Sequence, residues 1–294
     1  MIKKTFAALL ILLLAHLLYI FIFKPKGTDG DTLWQQNRIK AQRFILSKNY
    51  YKTLIVGSSL STSAIIMDSM PKNLYNLAFN GQSVQDGLSL LKNKKQLPNV
   101  LFIEMNVIMR GENKEFVNSL TSPINYYSTL YIPSLREEYQ PIAILKHLGF
   151  SFLRLIMGRG EVKESNSTSN IIKIQEEKRP EMFTRILSIE KKDYSIPPDE
   201  KKINSIFKEL KKQTQALESK GVKIVFFEIP LEKDLCDMPY SVKLRQSFYK
   251  YYPQDKYKYV YQPNCLEYNT SDGRHLTKSS AAKYTFYLKK APYF

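Results

Sequence analysis

The stretch Leu54-Ile55-Val56-Gly57-Ser58-Ser59, with Leu60, Ala64 and Met67 after it, decides the fold. Three consecutive apolar residues ending on glycine predict a short strand buried on both faces. The helical spacing that follows predicts a helix, stopped at Pro71. Working outward, Leu74 to Phe79 reads as a second strand. Val84, Leu88 and Leu91 mark one face of a second helix closed by Pro98, and Val100 to Ile103 is a third strand. This β-α-β-α-β succession is the pattern of a parallel, doubly wound sheet. The pattern resumes much later. Ile203, Phe207, Leu210 and Leu217 line a helix ending at Lys220-Gly221, where glycine suits the C′ position. Val222 to Phe227 is the next strand, Tyr257 to Tyr261 the last, and Thr277 onward, through Ala281, Tyr284 and Leu288, the closing helix.

Around this core the chain has two further parts. Thr5 to Phe23 is an uncharged, Leu/Ile/Phe-rich run after Met-Ile-Lys-Lys, long enough to cross a bilayer as one helix. It ends in Phe21-Ile22-Phe23-Lys24-Pro25-Lys26, without the small-x-small site of a cleaved signal, so residues 1–26 read as an uncleaved anchor. Lys3, Lys4 and the terminal amine favour a cytoplasmic N-terminus, against Lys24 and Lys26. His16, inside this run, reads as a tolerated polar residue. Residues 27–50 form a polar helical stalk carrying Trp34, Ile39, Phe44, Ile45 and Leu46, and residues 51–294 form the α/β domain. A long insertion, about 111–200, interrupts that domain and reads as a lid, a partner surface or a membrane-proximal flap. Within it, Ile142 to Met157 mixes Lys146, His147 and Arg154 with Leu, Ile and Phe, suiting either anionic headgroups or core packing; His147 has no acidic neighbour at helical spacing and reads as structural.

Composition narrows the function. The 294 residues are 44% hydrophobic with 11 glycines and 14 prolines, which excludes disorder and fibrous repeats. A formal charge of +17 suits an anionic membrane surface or an acidic polymer. The lysines are scattered, without the basic-aromatic interleaving of a nucleic-acid reader, so nucleic acid is not an expected partner. Cys236 and Cys265 are the only cysteines. Their spacing fits no metal motif, and either a single disulfide in an oxidising exterior or two free thiols is compatible with it. No cofactor or metal is expected. Asn166-Ser167-Thr168 and Asn269-Thr270-Ser271 match glycosylation acceptors, a tripeptide too common to carry weight.

The chemistry-bearing residues follow the strands. Ser59 follows the first strand and opens the first helix, whose N-terminus offers N–H groups and positive potential to an oxyanion. Asn80-Gly81 follows the second strand, where glycine lets a backbone N–H approach a substrate oxygen. Asn106 follows the third. Near the C-terminus, Asp272-Gly273-Arg274-His275 spaces a carboxylate and an imidazole so that Asp272 can hold one ring nitrogen and direct the other toward Ser59. Each element alone is an ordinary loop pattern. Consecutive strands each ending in a nucleophile or a donor, together with the chain's one acid-paired histidine, form the parts of acyl transfer through a serine ester.

With these residues in view, the chain resembles the SGNH, or GDSL-like, hydrolase and acyltransferase superfamily over about residues 52–107 and 200–290. Gly57-Ser58-Ser59 matches the first block with serine replacing the usual aspartate. Asn76-Leu77-Ala78-Phe79-Asn80-Gly81 matches the second. Glu104-Met105-Asn106 matches the third without the glycine before the asparagine or the aspartate after it, and Asp272-Gly273-Arg274-His275 matches the fourth without departure. The resemblance implies a flavodoxin-like three-layer sandwich around a central parallel sheet. It implies catalytic Ser59, His275 and Asp272, with an oxyanion hole from Ser59, Gly81 and Asn106. The Gly-Ser-Ser variant and the anchor look like membrane-tethered members that modify envelope polymers, such as teichoic-acid D-alanyl transfer proteins and exopolysaccharide acetyltransferases.

The expected function is therefore a membrane-anchored, extracytoplasmic serine O-acyltransferase or esterase acting on a cell-envelope glycan. One span cannot carry an acyl thioester across a bilayer, so a multispanning membrane acyltransferase is expected as donor. The alternative is a noncatalytic envelope scaffold or glycan-binding protein that keeps the fold.

Overall fold

Apolar β-branched and aromatic runs form the strands, and all of them run parallel. The computed structural model describes residues 2–23, 25, 27–141, 144 and 180–293. Strands β1 (Thr53–Gly57), β2 (Leu74–Ala78), β3 (Val100–Glu104), β4 (Lys223–Phe227) and β5 (Lys258–Val260) make one sheet in the order β2-β1-β3-β4-β5. β1 and β3 are buried at every position, which is why they carry no polar alternation. The chain leaves β1 for β2 on one side and then crosses to β3 on the other. The crevice at such a reversal, beyond the carboxyl ends of the strands, is where open α/β sheets gather reacting groups.

Eleven helices accompany the sheet among the described residues. In chain order they are α1 (Ile2–Phe23), α2 (Leu33–Leu46), α3 (Ser59–Ala64), α4 (Val84–Leu91), α5 (Lys114–Thr121), α6 (Pro123–Tyr131), α7 (Pro180–Tyr194), α8 (Glu200–Glu218), α9 (Lys233–Cys236), α10 (Pro239–Tyr251) and α11 (Lys278–Lys289). On one face of the sheet Ile55, Phe102, Val225 and Phe227 pack with Leu60 and Ala64 of α3 and with Ala281, Tyr284 and Leu288 of α11. On the other, Gly87 of α4 sits against Val56. There Phe226 also meets Phe248 of α10, which in turn meets Phe207 of α8. Burial of side chains this large is worth roughly 2–3 kcal/mol each. The sheet with helices on both faces is the α/β architecture the sequence predicts.

Sequence patterning did not mark α10. Its buried positions are Ser241, Leu244, Ser247 and Phe248, so two small hydroxyl residues interrupt the apolar stripe that would have announced it.

By contacts the chain groups into two compact units, Met1–Ser47 with Asn118–Glu164, and Lys48–Val117 with Ser165–Phe294. This line differs from the boundaries read in the sequence. Residues 27–47 do not stand apart as a stalk. Arg38 pairs with Glu137 at 2.9 Å, Arg43 with Glu138 at 2.8 Å, and the Thr28 N–H donates to the Glu138 carbonyl. The region 111–200 is likewise divided, with α7 grouped with the sheet. α2 begins at Thr32, whose side chain closes a capping box with Gln35. α1 is the one helix among the described residues long and apolar enough to cross a membrane, at a mean hydropathy of 2.7 over Lys3–Phe23. His16 on that helix has a partner, its Nε2 lying 3.1 Å from the Tyr139 carbonyl oxygen. Apart from Ile144, the stretch 142–157, the following section 158–178 with Asn166, and His147 lie outside the described residues.

Candidate active site

Ser59, His275 and Asp272 are brought together at the carboxyl edge of the sheet. His275 Nε2 lies 2.9 Å from Ser59 Oγ, across 216 positions of sequence, and Nδ1 lies 2.6 Å from Asp272 Oδ2. The three residues form a connected relay from hydroxyl to imidazole to carboxylate.

The loop that carries the acid and base is built to hold them. Gly273 adopts φ +92°, a left-handed conformation that reverses the chain between Asp272 and His275. Asp272 Oδ1 accepts the N–H groups of Arg274 at 3.0 Å and His275 at 2.7 Å, so the carboxylate caps its own turn with one oxygen and serves the imidazole with the other. The Ser271 N–H donates to the His275 carbonyl at 2.8 Å, and Thr270 bridges Leu276, closing the base of the loop. From outside, Thr270 Oγ1 donates to Glu232 at 2.7 Å, and the Glu232 N–H donates to the Gly273 carbonyl at 2.9 Å. A disulfide between Cys236 and Cys265 links α9, which follows Glu232, to the segment leading into the loop. Burial alone would raise the Asp272 pKa. The hydrogen bond and charge of His275, with the two backbone donors, outweigh it and hold the carboxyl at about 2.

The nucleophile side holds a residue that the sequence reading did not single out for this role. Glu104, the last residue of β3, is fully buried. Its carboxylate accepts from Ser58 N–H at 2.8 Å, Ser58 Oγ at 2.7 Å, Ser61 N–H at 3.2 Å and Ser61 Oγ at 2.5 Å. Ser58 Oγ in turn accepts the Leu60 N–H at 3.2 Å as the cap of α3. One carboxylate thus satisfies both ends of the turn that presents Ser59. The signal was available: an acid closing the otherwise apolar run Leu101-Phe102-Ile103-Glu104 must find donors inside.

This arrangement narrows which N–H groups at the α3 N-terminus are open to an oxyanion. The helix has only six residues, and the N–H groups of its N-cap Ser58 and of Ser61 in its first turn face Glu104. The N–H of Ser59 itself has no partner among the described residues and sits beside its own hydroxyl. Gly81 supplies a second such N–H. It adopts φ +72°, and a Cβ there would meet nothing within 4 Å, so its approach is open. The Phe79 N–H donates to the Gly57 carbonyl at 3.3 Å, tying the loop after β2 to the loop after β1.

Asn106 follows β3 as expected, but its amide is engaged. Nδ2 donates to the Ile229 carbonyl and Oδ1 accepts the Ile229 N–H, both at 2.9 Å, within a buried environment. It clips the end of β3 to the segment after β4 and, among the described residues, has one amide hydrogen uncommitted. Among the described residues no group of three or more His, Cys, Asp or Glu gathers to hold a metal ion.

Comparison of the chain with protein-family models, with curated proteins and with solved structures finds no match in any of the three.

Proposed function

We propose that this protein is a serine O-acyltransferase or esterase of the SGNH type, with a flavodoxin-like three-layer domain, working through an acyl-Ser59 intermediate. The observation that carries the reading is the unbroken relay from Ser59 Oγ through His275 to Asp272. In the first step Ser59 Oγ attacks the carbonyl carbon of an acyl ester while His275 Nε2 takes the hydroxyl proton. The tetrahedral oxyanion lies against the Ser59 and Gly81 N–H groups, with the uncommitted Asn106 amide hydrogen as a third donor. Collapse breaks the ester bond, and His275 returns the proton to the departing alkoxide. In the second step His275 removes the proton of an acceptor hydroxyl, which attacks the acyl-serine and releases Ser59. Asp272 holds the imidazole in the required tautomer and stabilises its cationic form throughout.

The apolar α1 helix supports a single-pass anchor; Lys3, Lys4 and the terminal amine favour a cytoplasmic N-terminus, which puts the catalytic domain outside the cytoplasmic membrane in this reading. Tethering beside a membrane-borne acyl donor favours transfer over hydrolysis by proximity. The donor in this reading is a multispanning acyltransferase. The acceptor is a hydroxyl of an envelope glycan, with acidic glycans and anionic lipid suited to the +17 charge.

The test is incubation of the full-length protein in detergent with an activated acetyl ester, followed by intact-mass and peptide mass spectrometry. Acetylation of Ser59, abolished in His275→Ala, is the expected result. An unmodified Ser59 together with glycan binding would replace this reading with the noncatalytic scaffold.

A further inference from the structure

The unit formed by residues 1–47 and 118–164 carries an apolar surface that the acyl-transfer reading does not use. α6 exposes Ile124, Tyr127 and Tyr131 at i, i+3 and i+7, with Ile124 83% and Tyr131 75% exposed. Ile132 and Leu135 continue the same surface into the following turns. Tyr127 and Tyr131 stack, with ring centroids 6.3 Å apart. Beside them, Leu14, Leu17 and Phe21 of α1 form the facing wall of an apolar groove of about 600 Å³, which Tyr131, Ile132 and Arg136 close from the other side.

We propose that residues 123–139 lie in the interface of the bilayer that α1 crosses, with the acyl chain of an anionic phospholipid in the groove. The inference rests on the reading of α1 as a membrane span. His16, whose Nε2 meets the Tyr139 carbonyl, is seven residues from the helix end at Phe23, so the turn reaches about 10 Å down the helix at 1.5 Å per residue. One wall of the groove is therefore the span itself, and its natural occupant is lipid. Non-helical backbone survives at that depth only when its polar groups are satisfied within the protein. Most of the N–H groups of this stretch are: Ile132 N–H donates to the Ser128 carbonyl, Leu135 N–H to Ile132, Arg136 N–H to Pro133, Glu137 N–H to Gln42 Oε1, and Tyr139 N–H to Arg136. Tyrosines on an exposed apolar face match the aromatic layer at headgroup level. Glu137 and Glu138 are neutralised by Arg38 and Arg43. Arg136 makes no ion pair among the described residues. Its Nε donates to the Thr129 carbonyl at 2.9 Å, which leaves the other guanidinium N–H groups for a lipid phosphate.

The disulfide leaves no free thiol among the described residues, so single cysteines can be labelled selectively. The full-length variants Leu135→Cys, Ile124→Cys and Leu10→Cys, carrying an environment-sensitive fluorophore, are reconstituted in phosphatidylcholine–phosphatidylglycerol vesicles. Brominated lipid and aqueous iodide serve as opposed quenchers. The expected result is lipid quenching at all three positions, deepest at 10. Arg136→Gln is expected to abolish the excess quenching of the 135 probe by brominated phosphatidylglycerol over brominated phosphatidylcholine. Lipid quenching at 10 with iodide quenching at 135 and 124 overturns the interfacial segment and leaves the anchor standing. Iodide quenching at 10 overturns the anchor and the inference with it. A 135 probe shielded from both quenchers assigns the surface to a protein partner and also overturns the inference, while equal quenching by the two lipids, with or without Arg136, removes the anionic-lipid site.

Discussion

Gly57 and Glu104 face one another across β1 and β3 so closely that a Cβ on Gly57 would stand 2.6 Å from Glu104 Oε2, with Ser61 Oγ nearer still. The glycine that ends β1 is required because a buried carboxylate occupies the space beside it, gripping the serines on either side of Ser59. Removing that carboxylate strands four buried donors, each costing roughly 1–3 kcal/mol when unsatisfied. Glu104→Ala is expected to lower unfolding free energy by several kcal/mol, measured by denaturant titration. Glu104→Gln should retain the fold with a smaller loss but slow acylation of Ser59, because an amide offers one acceptor where two are used.

Asp272→Asn is expected to fold normally and lose about 10⁴-fold in turnover, the scale seen when a triad carboxylate becomes an amide and the imidazole tautomer is lost. The check is steady-state hydrolysis of an activated ester by the full-length protein, with circular dichroism confirming the fold.

Ser59→Ala and His275→Ala should be strongly non-additive. Either substitution removes the relay, so each should lower kcat by on the order of 10⁴ or more and the double variant should fall no further. Additive losses would mean that the two side chains act separately.

Acid stability should report Asp272 directly. Its carboxyl is held at about 2, below its ordinary value of 3.8. A lowered folded-state pKa contributes stability that is full above about pH 4 and is lost as pH falls through about 2. The size is on the order of 2 kcal/mol, reduced by the partial exposure of the pair. Urea unfolding midpoints between pH 5 and 2 should drop less steeply in Asp272→Asn than in the native protein.

Reduction of the Cys236–Cys265 disulfide is expected to destabilise the protein by roughly 3 kcal/mol, the scale for a closed loop of this length. Because the bridge ties α9, next to the Glu232 that anchors the Asp272–His275 loop, to the segment leading into that loop, ester turnover should fall together with thermal stability when dithiothreitol is added. Cys236→Ser should reproduce both changes.

Much of the sheet was legible because buried parallel strands leave a local record. Leu54-Ile55-Val56, Val100 to Ile103 and Val222 to Phe227 each announced a strand within a residue or so of its observed bounds. The candidate relay was legible for a related reason: a nucleophile at a strand end and a chain with only one acid-paired histidine left few combinations. In the sequence Glu104 stands only as the first residue of the block Glu104-Met105-Asn106, with no role of its own. Its meaning depends on Ser58 and Ser61, which it meets only when β1 and β3 pair in register, Val56 beside Ile103. α10 was hidden by its buried serines, and the grouping of residues 27–47 with the region after 118 depends on ion pairs roughly a hundred positions apart.

By itself, then, the order of residues determined the parallel strands, the apolar first helix and the identity of Ser59, Asp272 and His275 as candidates, since each rests on periodicity or spacing within a short window. Tertiary structure alone decided that His275 reaches Ser59, that Glu104 holds the Ser58–Ser61 turn presenting Ser59, and that Asn106 is engaged by Ile229. Those facts depend on hydrogen bonds between segments far apart in the chain, whose short-range directional geometry exists only once the sheet has brought them together.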